Sequence, residues 1–302
     1  MDALSHALIA VIIFLAAGST SSLIPFAVIG AIIVDADIFF RIISDRVPEL
    51  YIFTHGGFAH SIPGAVAVSG LGTSGILLAV LAGAVPAGVL SIPLPLAFFA
   101  ILAGAGIHLG IDALAYPGIP LLYPLSDSKV TFGILPGPSI FLFITTSAIL
   151  VARALGQINT PGVFAFASAV FILFLVFRVL LSLFARQKLP EGRRVPLPNP
   201  LHWIIIGENE TSFLITRYSL SRGIFGSETF EKYISTDIRE AEKFQALPEV
   251  RRLKFHSYIT VAEKTRSEFI FSDPLREKGY FLYPPDYTRW VIPGAPECRN
   301  PE

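Results

Sequence analysis

Six apolar runs, the first of them short, fill the first 184 residues: Ala3–Gly18, Leu23–Ile43, Phe58–Leu90, Ile92–Tyr116, Pro138–Leu155 and Gly162–Phe184. A helix that crosses a bilayer needs about 20 predominantly apolar residues, because its backbone must satisfy itself in a medium without water. A soluble domain has no reason to carry so many runs of that length. The sequence therefore predicts an all-α polytopic membrane domain of about six transmembrane helices. The third run is interrupted by glycines around Gly70–Gly75, and it reads as one helix or as two shorter ones. The first run lacks a basic n-region and is followed by further apolar runs, so it reads as a retained helix, not a signal peptide.

The charges divide the chain. Residues 1–195 hold 9 of the 23 Lys and Arg and 8 of the 23 Asp and Glu, and the remaining 107 residues hold 14 and 15. An apolar body, residues 1–188, thus precedes a linker rich in Pro and basic residues, 189–200, and a small soluble α+β domain, 201–302. In that domain His202–Ile206 and Ser212–Ser219 flank Gly207–Thr211 and read as a hairpin. Asp237–Leu247 reads as a short helix capped by Thr236. Ser257–Ala262 and Glu268–Ser272 flank the polar turn Glu263–Ser267. No catalytic motif stands out there, and His202 and His256 read as structural or surface residues. The zero net charge gives no basic stripe, so no nucleic-acid partner is expected. Protein partners are not indicated. The one cysteine, Cys298, excludes an intrachain disulfide framework and suits a reducing compartment.

With six crossings, Arg41, Arg46, Lys129, Arg178, Arg186, Lys188, Arg193 and Arg194 fall on one side, and Arg153 lies near the other. The positive-inside rule makes the richer side cytoplasmic. The expected location is the cell membrane, multi-pass, with both termini inside.

Seven ionisable residues of the apolar body converge on that same face in this topology. His6 opens run one, Asp35 and Asp37 close run two, His55 and His60 lead into run three, and His108 and Asp112 close run four. An aspartate in a bilayer is costly unless it faces a partner or a wet cavity. Three aspartates need something cationic, and few lysines or arginines are near. A divalent metal would supply the charge, and imidazole with carboxylate suits zinc, manganese or iron. His108 and Asp112 are four apart and share a helix face. Asp35 and Asp37 are two apart and diverge by about 200° on a regular helix, so either the helix unwinds or one of them is not a ligand. His55 and His60 bracket Gly56-Gly57, which permits a tight loop. Seven candidates exceed the four ligands of a tetrahedral site and imply one to three ions or an outer layer of support. Asp37 and Asp112 are the candidate general bases. Ser126 and Asp127 in the following loop are candidates for substrate contact. A proton or ion pathway is the rival reading, although its polar groups should spread through the membrane depth instead of collecting at one end. A structural network of paired side chains is the third.

The segments Val34-Asp35-Ala36-Asp37, His55-Gly56-Gly57-Phe58-Ala59-His60-Ser61 and His108-Leu109-Gly110-Ile111-Asp112, followed by Tyr116-Pro117-Gly118 and Tyr123-Pro124-Leu125-Ser126, resemble the YdjM-like family of predicted membrane-bound metal-dependent hydrolases. The resemblance covers roughly residues 1–190. It departs from the family pattern at Val34 for proline, Gly56 for arginine and Ala59 for threonine. The family is related to zinc-dependent phospholipase C and to zinc nucleases. The resemblance therefore implies metal-dependent hydrolysis of a phosphoester, with membrane lipid or a lipid-linked molecule as substrate and zinc-activated water as nucleophile. The alternatives are an ion-coupled transporter and a non-catalytic metal-binding scaffold.

Overall fold

A computed structural model of the chain describes residues 3–137, 139–157, 160–189, 191–281 and 286–293. The chain divides into two compact units. One comprises Met1–Arg41, Phe53–Lys188 and Pro196–Pro200, and the other Ile42–Ile52, Leu189–Val195 and Leu201–Glu302.

The first unit is helical. It contains α1 (Ala3–Ala16) and α2 (Ile24–Ile33), the latter opened by Pro25, whose missing N–H costs nothing in a first turn. Beyond Ile33 the chain tightens into a 3-10 segment, Val34–Phe40, and then enters α3 (Arg41–Arg46), which past Arg41 belongs to the second unit. The chain returns through a second short 3-10 turn, Phe58–His60, to α4 (Ile62–Leu81). Ser61 caps α4 by accepting a hydrogen bond from the Gly64 N–H. A turn region joins α4 to α5 (Leu94–Leu114). Strands β1 (Ala115–Tyr116) and β2 (Leu135–Pro136) pair in parallel and bracket the loop between them. Helices α6 (Ile140–Ala154) and α7 (Thr160–Lys188) follow.

The expectation of six spanning helices is overturned. Among the described residues three helices are long and apolar enough to cross a membrane: Ile62–Leu81, Leu94–Leu114 and Ala165–Gln187 within α7. The other three runs give shorter helices of 14, 10 and 15 residues, against the ~20 residues that ~30 Å of hydrocarbon requires. The cause is local. Run two loses its α-helical hydrogen bonds where Asp35 and Asp37 enter, and runs one and five, only 16 and 18 residues long, end at turns with Gly18 and Gly156 at positive φ. The third run is one helix, α4. Its first residues, Phe58–His60, stand outside it as the 3-10 turn.

Helices α2 and α5 cross at glycine. A Cβ on Gly30 would lie 1.9 Å from the Ile101 carbonyl oxygen, and one on Gly104 would lie 2.0 Å from that of Ala27. Backbone-to-backbone contact of this kind gains dispersion energy that lipid cannot replace, which is why small residues mark helix crossings in membranes. Below the crossing, Val34, Ala59, Ala65, Val68, Ala105, Leu109 and Ile119 form a buried cluster uniting the two 3-10 segments, α4, α5 and the loop after β1.

The second unit is rich in β structure. Strands β3 (Arg193–Pro196), β4 (His202–Glu208), β5 (Ser212–Ser219) and β6 (Gly223–Glu231) form one sheet in that order. Strands β4 and β5 make the antiparallel hairpin expected around Gly207–Thr211, with Asn209 Oδ1 accepting from the backbone of Thr211 and Ser212. Strand β3 lies within the segment read as a linker. The second sheet has the order β10-β9-β8-β7, from β7 (Tyr233–Ile234), β8 (Val261–Lys264), β9 (Glu268–Ser272) and β10 (Arg289–Pro293). Between β7 and β8 lie α8 (Ile238–Glu242) and α9 (Pro248–His256), and α10 (Pro274–Glu277) follows β9. The cap of α8 is Asp237, which accepts from the Glu240 N–H, and Thr236 instead donates to the Glu240 carboxylate. The expected single helix over 237–247 is five residues long, because Pro248 starts a separate helix that the sequence reading had not anticipated. His256 is buried against Phe255 and Tyr287, and the His202 ring lies over Phe225. Cys298 lies outside the described residues.

Candidate metal centre

Four backbone elements of the first unit deliver seven polar side chains to one place. His6 comes from α1, Asp35 and Asp37 from the 3-10 segment after α2, His55 and His60 from the loop before α4, and His108 and Asp112 from the last turns of α5. Two groups offer ligand atoms that all lie within 4.8 Å of one another: His6, His108 and Asp112, and Asp35, His55 and His60. Six of the seven are buried or nearly so, and His55, with 32% of its side chain exposed, forms the rim.

The histidines are oriented from behind. Asp37 Oδ1 accepts from His55 Nδ1 at 2.8 Å, and Asp37 Oδ2 accepts from His60 Nδ1 at 2.9 Å and from the Gly56 N–H at 3.2 Å. His108 Nδ1 donates to the Ala31 carbonyl at 2.7 Å. Carboxylate and carbonyl oxygens accept only, so each Nδ1 carries its proton, and in His60 and His108 this turns Nε2 forward. Gly56 has φ of 75°, a left-handed conformation that glycine adopts without strain, and this aims its N–H at Asp37.

The tightened segment after α2 resolves the aspartate spacing. At about three residues per turn, Asp35 and Asp37 point about 120° apart instead of about 160°, so they flank His60 on opposite sides. Asp37 holds its Nδ1, and Asp35 Oδ1 lies 3.5 Å from its Nε2.

In front, four donor atoms face one another. His60 Nε2 and His108 Nε2 are 3.2 Å apart. Asp35 Oδ1 is 3.5 Å from each of them, and Asp112 Oδ2 is 3.4 and 3.2 Å from them. Zinc bound at about 2.0–2.1 Å would place tetrahedral ligand atoms about 3.3–3.4 Å apart, so these five distances match the edges of such a site. Asp35 Oδ1 is buried and has no hydrogen-bond partner. On the far side of Asp112, its Oδ1 lies 3.4 Å from His6 Nε2. His6 is fully buried, stacks on His108 with ring centroids 3.7 Å apart, and has no hydrogen-bond partner at either nitrogen. Buried polar atoms in folded proteins are nearly always satisfied, and of these exceptions His6 Nε2 and Asp35 Oδ1 face the same cluster.

Ser126 and Asp127 belong to neither ligand group. Ser126 Oγ accepts from the Ser128 N–H, and Asp127 is exposed. Their loop is fixed to the site's scaffold, since the Ile62 N–H donates to the Leu121 carbonyl and Tyr123 packs edge-on against Phe58. Three contributors to the site were not anticipated from the sequence: the Ala31 carbonyl, the Gly56 N–H and the glycine crossing that brings α2 within reach of His108. Only the glycines had a signal, as small residues inside apolar runs.

No curated protein and no solved structure matches this chain. Residues 1–186 match the family described as YdjM inner membrane protein, and this span contains all seven clustered residues. That match, together with the apolar helices, makes this a membrane protein with His and Asp groups able to hold metal, and the chain belongs to the YdjM inner membrane protein family.

Proposed function

We propose that this protein is a membrane-embedded, metal-dependent hydrolase acting on a phosphoester or lipid-linked substrate. One observation carries the metal reading: the Nε2 atoms of His60 and His108 face each other at 3.2 Å with both Nδ1 atoms already committed as donors. Two acceptors at that distance repel unless a cation lies between them. His60, His108, Asp35 and Asp112 are the proposed ligands of a divalent ion, zinc being the best match to the donor set, with manganese or iron as alternatives. Asp112 Oδ1 and His6 offer a second position with two protein ligands. These residues would hold a divalent ion, whose chemistry when bound would be to lower the pKa of a water and polarise a phosphoryl oxygen.

The residues then divide the work. Asp35 and Asp112 balance the charge of the ion. Asp37 spends both oxygens on His55, His60 and Gly56, so its proposed role is to fix the rings and raise their basicity. Of the two aspartates expected as general base, Asp112 is the one facing the donor cluster. His55 stands at the rim, where a substrate would meet it.

Helices α4 and α5 form a hairpin of two spans whose site ends coincide, since Asp112 closes α5 and His60 precedes α4. We assign that end to the cytoplasmic face, because Arg46 and Lys129 lie within about 20 residues of the α4 and α5 ends that carry the site. The test is elemental analysis of detergent-purified protein, followed by assay of phosphoester lipids with the metal-loaded form. Bound zinc or manganese with turnover supports the reading. Stable metal with no turnover on any phosphoester moves the assignment to a non-catalytic scaffold, and no metal even after reconstitution sinks it.

A further inference from the structure

Arg178 stands apart from the metal centre. It lies on the apolar helix α7, yet its side chain is only 4% exposed. Its Nε and Nη2 both donate to the Ile134 carbonyl, at 3.2 and 2.9 Å. Among the described residues it forms no ion pair with a carboxylate, and Nη1 has no protein partner. A buried guanidinium without a counter-ion carries an uncompensated desolvation cost that a bound anion would relieve.

The surroundings define what would neutralise it. Beside Arg178 is a groove of about 520 Å³ between α6 and α7, lined by Ile140, Phe141, Leu173, Phe174 and Phe177. On α7 the lining residues Val170, Leu173, Phe174, Phe177 and Arg178 recur at helical spacing and form one stripe. The stripe runs about 12 Å along the helix from Val170 to Arg178. Its cationic end is level with the end of α5, because the Ile134 N–H donates to the Leu114 carbonyl at 2.9 Å. Where α5 leaves the membrane, the lipid headgroups begin. So the groove pairs a cation at headgroup depth with an apolar channel leading inward.

We propose that this groove binds an anionic phospholipid of the surrounding membrane, its phosphate on Arg178 and one acyl chain along Phe141, Leu173, Phe174 and Phe177. The assignment needs no catalysis and does not rest on the hydrolase reading.

The test is native mass spectrometry of the full-length protein in detergent with phosphatidylglycerol or phosphatidylcholine of identical chains. Wild type should retain phosphatidylglycerol about fivefold better, the discrimination one basic group gives against an anionic lipid. R178Q should abolish the preference, and R178K should keep part of it. L173W, at a residue 69% exposed on the groove wall, should block the channel and lose the phosphatidylglycerol preference with Arg178 intact, so it decides the matter if R178Q does not fold. Equal retention of both lipids by wild type, or a preference unchanged in R178Q or L173W, overturns the proposal. Metal content, measured in parallel, tests the other site separately.

Discussion

His60 and His108 present their Nε2 atoms to each other at 3.2 Å, each ring locked from behind, one by the Asp37 carboxylate and the other by the Ala31 carbonyl. A histidine pair left to itself would rotate away or share a proton. Holding both Nε2 atoms inward takes support from two backbone elements, α2 and the 3-10 segment after it, and that support is where the first predictions lie.

His108→Ala with Asp112→Ala removes two of the four facing donors. Purified wild type should carry at least one equivalent of zinc or manganese by elemental analysis. The double variant should carry less than about a tenth of that, as loss of two direct ligands exceeds the 10–100-fold effect typical of an outer partner. Equal metal in both proteins would place the ion elsewhere.

Asp37→Asn separates support from ligation. The amide retains an acceptor for one ring but cannot serve both Nδ1 protons as a charged group does. Metal affinity should fall about 10–100-fold in a competition titration with a chromophoric chelator, and stoichiometry at saturating metal should be unchanged. Asp35→Asn should instead lower the stoichiometry at any practical concentration. If the two variants behave alike, Asp37 is a ligand.

The α2–α5 crossing sets the position of His108. Gly104→Val must push a side chain into the Ala27 carbonyl, 2.0 Å from where its Cβ would be built. It should lower the unfolding midpoint in detergent and reduce bound metal, with a stability loss of about 1–3 kcal/mol or more from overpacking. Gly106→Ala is the control, for nothing lies within 4 Å of a Cβ there. It should be neutral or gain up to about 1 kcal/mol from helix propensity. Matching losses at both positions would show that the crossing is not what matters.

The second unit carries both tryptophans, Trp203 and Trp290, so its unfolding can be followed by their fluorescence. Within it Tyr287 donates to Asp45 at 2.6 Å, and burial followed by this hydrogen bond holds its phenol above the usual tyrosine pKa. A raised folded pKa favours the protonated form in the native state. The contribution is therefore complete below about pH 10, the unfolded value, and disappears as pH rises through the folded one. Tyr287→Phe should lower the midpoint at pH 8 and shrink the further loss between pH 9 and 11. A variant whose alkaline loss equals that of wild type would remove Tyr287 from the account.

Lipid selectivity at Arg178 concerns a different part of the first unit. In sequence this arginine looks like one more positive charge near the end of a span. In the folded chain it is turned inward, which removes it from the orientation argument and gives it another role.

The sequence by itself determined the membrane character, the change to a polar C-terminal part and the identity of the seven polar residues. Each of these depends on composition and local spacing: runs of apolar residues, a step in charge density, and ionisable groups whose burial in hydrocarbon is too costly to be accidental. The hairpin around Gly207–Thr211 was legible for the same reason, as strand alternation and turn chemistry are local. The number of spanning helices was not, because hydropathy measures how apolar a run is and not where its backbone stops being helical. Val34–Phe40 is apolar enough to continue α2 but tightens into a 3-10 segment at its aspartates. Only the tertiary structure decided which nitrogen of His60 and of His108 faces the centre, that Asp37 stands behind it and that Asp35 stands in front. Those assignments depend on acceptors contributed from distant parts of the chain, such as the Ala31 carbonyl that His108 reaches across 77 residues, and no local pattern encodes a contact made by close crossing of two helices.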